Sequence, residues 1–296
     1  MNKPLSAALS LVLATLLYSF FGVLTRLAGF DLPIYFSSLV RNAFGAMILL
    51  LPLLLFKTFK KIEKADYPWL ILRSLGGTVG FLGSYYALYY LPIGTAYFIF
   101  YGGSTIAGFI LGAIFFKEKI DLFEGFCLFL ALLGLYFIYS VGDLSGSIFY
   151  VLLSLLGGFG AAFWNTFSKK TSDRYSAMQL SGLDFFFDAI VMLCLSLLVK
   201  ETWQAPSLTM PWFASLLFLL MFIVTGQLMI YGFKHLDAQK GSLIMLMEVV
   251  FGVIVGAIFF KEVLNSGAIF GGIMILTAAA LPSLKEIRTS KMSSKN

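Results

Sequence analysis

The chain has 296 residues, 59% of them hydrophobic and only 12% charged, with a formal net charge of +6. A soluble domain carries about 25% charged residues, so this composition excludes a protein that covers itself with polar surface. Mean hydropathy is +0.92, and lipid is the expected solvent.

A membrane-spanning helix needs roughly 20 mostly apolar residues. In chain order, ten such runs cover about 5–25, 33–56, 69–90, 93–116, 122–140, 147–168, 176–199, 211–233, 241–260 and 265–283. They are unbroken rather than alternating, which favours helices over a barrel. A helix also satisfies its own backbone groups in lipid. The first run follows Met1-Asn2-Lys3-Pro4 with no small-residue cleavage site and reads as a retained helix. The second carries Arg41. The third opens on Pro68-Trp69, carries Arg73 and the pair Gly76/Gly80, and closes on Tyr85, Tyr86, Tyr89 and Tyr90, where an interfacial aromatic belt belongs. The fourth holds Tyr97 and Tyr101, then Gly102-Gly103-Ser104, then Gly108 and Gly112. Trp164 and Asn165 lie near the end of the sixth, Asp184 and Asp188 on one face of the seventh, and Gln227 midway along the eighth. The ninth carries Glu248, Gly252 and Gly256, the tenth Gly267 and Gly271. Cys127 and Cys194 sit inside apolar runs and read as packing residues. A lone His235 falls at the turn after the eighth run and reads as solvated.

With the N-terminus on the cytoplasmic side, 16 Lys and Arg fall in inner segments and 3 in outer ones. Positive charge marks the cytoplasmic face, so both termini are expected inside. The basic excess is then a topology signal, and nucleic acid is excluded as a partner.

Gly-Ala-Ile-Phe-Phe-Lys-Glu occurs at Gly112–Glu118 and again at Gly256–Glu262, 144 residues later. Pro68-Trp69 and Pro211-Trp212, Tyr86 and Tyr231, and Arg26 and Lys170 recur at offsets of 143, 145 and 144. The sequence predicts an all-α integral membrane protein of two five-helix repeats, 1–142 and 143–284, with a basic tail over 285–296. Five is odd, so the second repeat enters the membrane inverted, as in many secondary transporters with a midplane site.

These residues resemble the drug/metabolite transporter superfamily, EamA type, over nearly the whole chain. The resemblance rests on Arg41 in "SSLVRNAFGAMILLLP", Arg73 in "WLILRSLGG", the turn "YYALYYLPIGTAYF", and the acidic ends Glu118 and Glu262 of the fourth and ninth helices. It implies ten helices and a small-molecule cargo. The family's usual proline midway along the fourth and ninth helices is absent here; Gly102-Gly103-Ser104 and Glu248-Val249 stand instead.

Ionisable groups deep in a membrane cost roughly 2.5–3.5 kcal/mol each on insertion scales and mark function by default. Arg41, Asp184, Asp188 and Glu248 form that set. At 1.5 Å per residue, Arg41 and Asp188 lie about 12 and 16 Å from one face, and Glu248 and Asp184 about 12 and 13 Å from the other. Depth allows either pair and leaves azimuth open. A carboxylate here serves proton coupling or cation binding, or else a structural ion pair; the resemblance implies a structural role for Arg41. Tyr97, Tyr101, Trp164, Asn165, Gln227 and Glu248 are the cavity candidates, since small-molecule sites are mostly apolar with a few polar handles. Gly108/Gly112 and Gly252/Gly256 allow close helix packing, or form smooth faces on which the repeats slide. Lys117 and Lys261 are expected to snorkel, Glu118 and Glu262 to stabilise helix ends.

A single histidine excludes a zinc HExxH site, and no GxxxxGK[ST] loop exists for ATP. No cofactor, metal or catalytic residue is expected. The reading is a secondary transporter of the bacterial inner membrane, not an enzyme, moving amino acids or related amphipathic metabolites, with export expected and a proton as the possible coupling ion. An importer or exchanger of nucleotide-like or sulfonium metabolites, and a non-transporting scaffold or receptor, are the alternatives.

Overall fold

A computed structural model describes residues 3–28, 32–91, 93–139, 148–261 and 265–293. It is helical, with no strand among the described residues. The helices are α1 (Lys3–Ser19), α2 (Phe21–Ala28), α3 (Ile34–Leu55), α4 (Tyr67–Tyr90), α5 (Ile93–Phe116), α6 (Leu122–Ile138), α7 (Ile148–Thr171), α8 (Ala177–Leu198), α9 (Met210–His235), α10 (Ala238–Met245), α11 (Met247–Phe260) and α12 (Ser266–Ser293).

Local chemistry sets many of the ends. Pro68 and Pro211 open α4 and α9, where a missing N–H costs nothing. Asp121 and Glu124 form a capping box on α6. Ser176 caps α8 through the Gln179 N–H. Lys57, Lys117, Lys200 and Lys261, just past the ends of α3, α5, α8 and α11, take left-handed φ values of 54–56°. The following N–H groups of Thr58, Glu118 and Glu201 reach back to Leu53, Gly112 and Ser196 carbonyls at 2.9, 3.1 and 2.9 Å, closing Schellman-type ends.

Six segments are long and apolar enough to cross a membrane: Ile34–Leu55, Thr95–Phe116, Ile148–Thr171, Ala177–Leu198, Met210–His235 and Ala238–Phe260. Lys3–Ser19, Leu122–Ile138 and Ser266–Pro282 are shorter apolar helices. α4 falls outside both groups. Its polar residues, Arg73, Ser74 and Thr78, are buried, while Tyr67, Ile71 and Leu75 on another face are exposed. It packs most extensively on α7, as α3 does on α8, α6 on α12 and α1 on α9. Glycines bring α4 and α7 together: a Cβ on Gly76 would lie 2.7 Å from the Gly160 carbonyl. Leu51, Leu54, Phe129, Phe213, Ile254 and Ile258 are exposed on the outside, where lipid takes them.

Two of the ten predicted runs are interrupted. α1 gives way to α2 at Phe20, and α10 to α11 at Leu246. At the second break the Leu246 N–H reaches the Leu243 carbonyl at 3.2 Å and the Val249 N–H the Leu246 carbonyl at 3.0 Å. These are tight i→i−3 bonds formed without proline. α5, with its double glycine, runs through unbroken.

Candidate functional site

Arg73 of α4, 1% exposed, places Nη1 2.7 Å from Asp184 Oδ2 of α8. Trp164 Nε1 of α7 donates to the same oxygen at 3.0 Å, and Ser74 Oγ to Oδ1 at 2.7 Å. Arg73 Nε donates to Ser168 Oγ at 3.1 Å. Three helices are thus tied by one buried ion pair, in which Asp184 accepts on both oxygens while Arg73 Nη2 has no hydrogen-bond partner among the described residues. Sequence reading left Arg73 out of the deep set and allowed Asp184 a partner in Glu248. The structure corrects this: similar depth is not contact. The available signal was that Arg73 lies about 9 Å along α4 and Asp184 about 10 Å along α8, both from their first residues.

Asp188, one turn on from Asp184, accepts from Thr78 Oγ1 at close range. Arg41 does not bond it. Its Nη2 donates to Ser38 Oγ at 3.2 Å, and its guanidinium carbon sits 4.7 Å from the Phe218 ring centroid and 5.6 Å from that of Phe81. Aromatic faces offset this cation. Trp164 joins the same wall through Phe222, 5.8 Å away, which also meets Tyr18 at 6.1 Å.

Glu248 stands alone. It is the second residue of α11, directly after the break. Tyr101 Oη of α5 donates to its Oε1 at 2.7 Å; Oε2 has no partner among the described residues, and no ion pair reaches it. Tyr97 lies 5.7 Å from Tyr101 and 5.9 Å from Tyr139, centroid to centroid. Tyr139, at the end of α6, was not anticipated. One turn beyond Glu248, a Cβ added to Gly252 meets nothing within 4 Å. So Gly252 is not a packing contact. Its counterpart is: a Cβ on Gly108 would lie 2.8 Å from Ser242 Cβ, and one on Gly112 3.3 Å from Ala238 Cβ. α5 and α10 are closed on each other, while the Glu248–Gly252 side of α11 is open. Gly256 is buried.

Glu118 seals the closed end. Its carboxylate accepts from Lys169 Nζ at 2.9 Å and from the Ala238 and Gln239 N–H groups at 2.8 and 3.2 Å. It therefore caps α10 from just beyond the end of α5 and ties in α7. Glu262 and the side chains of Arg26 and Tyr89 lie outside the described residues. Gln227 Nε2 donates to Ser181 Oγ at 3.1 Å and fixes α9 to α8. Asn165 is buried, and its Oδ1 lacks a hydrogen-bond partner among the described residues. His235 meets the Tyr231 ring at 5.0 Å.

Two cavities lie away from Glu248. One, of about 370 Å³, is lined by Lys60, Ser172, Arg174, Tyr175 and Lys234 near the α7–α8 turn; the other, of about 420 Å³, is an apolar groove between α3 and α8.

The EamA-like transporter family profile matches twice, over residues 5–140 and 148–284. The pseudopaline exporter CntI of Pseudomonas aeruginosa, in strains UCBPP-PA14 and PAO1, is 24% identical over 274 residues, covering 92% of this chain and 94% of that protein. A crystal structure of a protein that is 16% identical superposes with a TM-score of 0.76 over 94% of this chain and 98% of its own; this likeness concerns the fold alone. With the profile matched over nearly its whole length, the chain belongs to the EamA-like transporter family and is a multi-pass membrane transporter.

Proposed function

We propose that the protein is a secondary active transporter that moves small organic metabolites, amino acids or related amphipathic compounds, out of the cell by alternating access. The observation that carries this reading is the broken α10–α11 segment, which places an unpaired Glu248 against Tyr101 of α5. Discontinuous membrane helices of this kind build midplane substrate sites in secondary transporters. Ten spans in two inverted repeats, about 1–142 and 143–284, are the proposed frame, with 285–296 as the tail. Its support is the double family match, the left-handed lysines 143 and 144 residues apart, and the packing of α3 on α8 and α6 on α12, which pairs like with like across the two matches. An export direction follows the related exporter. A bacterial inner membrane with both termini cytoplasmic follows the charge count. Closure at the Glu118 end and space beside Gly252 then describe one of two alternating states.

The test is reconstitution into liposomes with a radiolabelled metabolite panel, with and without a proton gradient. Accumulation of a metabolite above the level of empty liposomes, in at least one arm, supports transport. No movement of any compound, with the protein folded and bilayer-embedded, favours the scaffold or receptor alternative.

A further inference from the structure

Within the described part of the membrane interior, Arg73 and Asp184 answer each other directly, whereas Glu248 and Asp188 each have a hydroxyl as their one hydrogen-bond donor. Arg73 and Asp184 pair at 2.7 Å, Asp188 takes the Thr78 hydroxyl, and Arg41 lies on the Phe218 and Phe81 rings. Glu248 receives one neutral hydroxyl and leaves Oε2 unpartnered. A carboxylate in apolar surroundings requires a proton or a cation.

The surroundings say which cation fits. Tyr101 sits on the carboxylate, and Tyr97 and then Tyr139 extend the row of rings from it at separations of 5.7 and 5.9 Å. Ring faces attract diffuse organic cations, and aromatic cages recognise substituted ammonium groups. A metal ion needs several ligands, and no cluster of three or more His, Cys, Asp or Glu exists among the described residues. There is also a way in. α10 starts at the Glu118 end, so α11 runs away from it, and Gly252 lies one turn from Glu248 toward the opposite face. That direction leads past Tyr97 and Tyr139, near the start of α5 and the end of α6. Ile254 and Ile258, 45% and 68% exposed, lie on a different side of α11 from Gly252.

We infer that Glu248, with Tyr97, Tyr101 and Tyr139, is the binding site for an organic cation, a substituted ammonium or sulfonium group of the cargo, reached from the face opposite Glu118. The inference rests on the transport reading and narrows its substrate class.

The experiment is equilibrium binding to the purified full-length protein by calorimetry. The probes are benzyltrimethylammonium and its neutral carbon isostere neopentylbenzene. The cation binds at least 10-fold tighter than the isostere. Glu248→Gln weakens cation binding at least 10-fold and Glu248→Asp far less. Tyr97→Leu weakens it several-fold, while Tyr101→Phe, which keeps a ring, loses less than Glu248→Gln. Circular dichroism and thermal melts confirm that each variant is folded. Equal binding of cation and isostere, no binding of either, or a Glu248→Gln protein that binds like the parent overturns the inference. The two readings fail separately. Transport of uncharged or anionic metabolites by liposomes bearing Glu248→Gln at the parental rate removes the cation site and keeps the transporter. Glu248-dependent cation binding with no transport of any compound does the reverse.

Discussion

At the scale of single residues, the four left-handed lysines are the plainest strain. A non-glycine residue in that region costs roughly 1–2 kcal/mol, and glycine usually takes this place at a helix end. Lys57→Gly and Lys200→Gly should each stabilise the fold by about 0.5–1 kcal/mol, less whatever glycine gains in the unfolded chain, visible as a higher melting midpoint in detergent. Asp184 tests the opposite case. Asp184→Ala strands the buried Arg73 and should cost about 3–5 kcal/mol, as breaking a buried ion pair does; thermal unfolding checks it, and a melt unchanged within error refutes the strut. On the exposed side, hydrogen bonds from Glu124, and then from Lys285, hold Asp121 below its ordinary carboxylate value of 3.8. A depressed folded value means that this cap stabilises above the unfolded value and fades as pH falls through the folded one. Asp121→Ala should therefore lower the melting midpoint at pH 7 and lose that effect under strongly acidic conditions.

At the scale of elements, α5 and α11 carry equivalent glycines in unequal settings. Gly108 has no room for a Cβ beside Ser242, whereas Gly252 has space. Gly108→Leu should destabilise the protein outright. Gly252→Leu should fold like the parent yet slow transport at least five-fold, because it fills the path to Glu248 and obstructs closure on that side. Melting and liposome flux together separate these outcomes; equal stability losses in both variants would mean that the space beside Gly252 is absent in the membrane. The break at Leu246 sharpens the same contrast. The ninth run has no proline, and the helix is interrupted there by a tightening of its own hydrogen bonds.

For the whole molecule, access should be one-sided. Cysteine placed at Gly252 in a Cys127→Ser, Cys194→Ser background should react with an impermeant maleimide added outside right-side-out vesicles, and cysteine at Ser242 should not. The reverse pattern would invert the assignment of the open face. Much of this architecture was legible in the sequence because lipid demands long apolar runs, and such runs are hard to miss. The repeat was legible because a heptapeptide recurs at half-length. The partner of each buried charge was not legible, because spacing along a helix gives depth and says nothing of rotation. Tyr101 and Glu248 were both singled out, but their hydrogen bond depends on how α5 and α11 turn toward each other. Tyr139 escaped notice because it is one of many aromatic residues in the apolar runs.

The ion pair between α4 and α8 also governs how the protein is made. The ribosome adds Arg73 111 residues before Asp184, and an arginine in a spanning helix resists insertion, by up to about 2.5–3.5 kcal/mol at the helix centre. A nascent chain ending near residue 140 therefore holds a polar α4 with neither Asp184 nor the groove of α7 to receive it. Arg73 can find its carboxylate only once α8 has been made, so the second half completes the first.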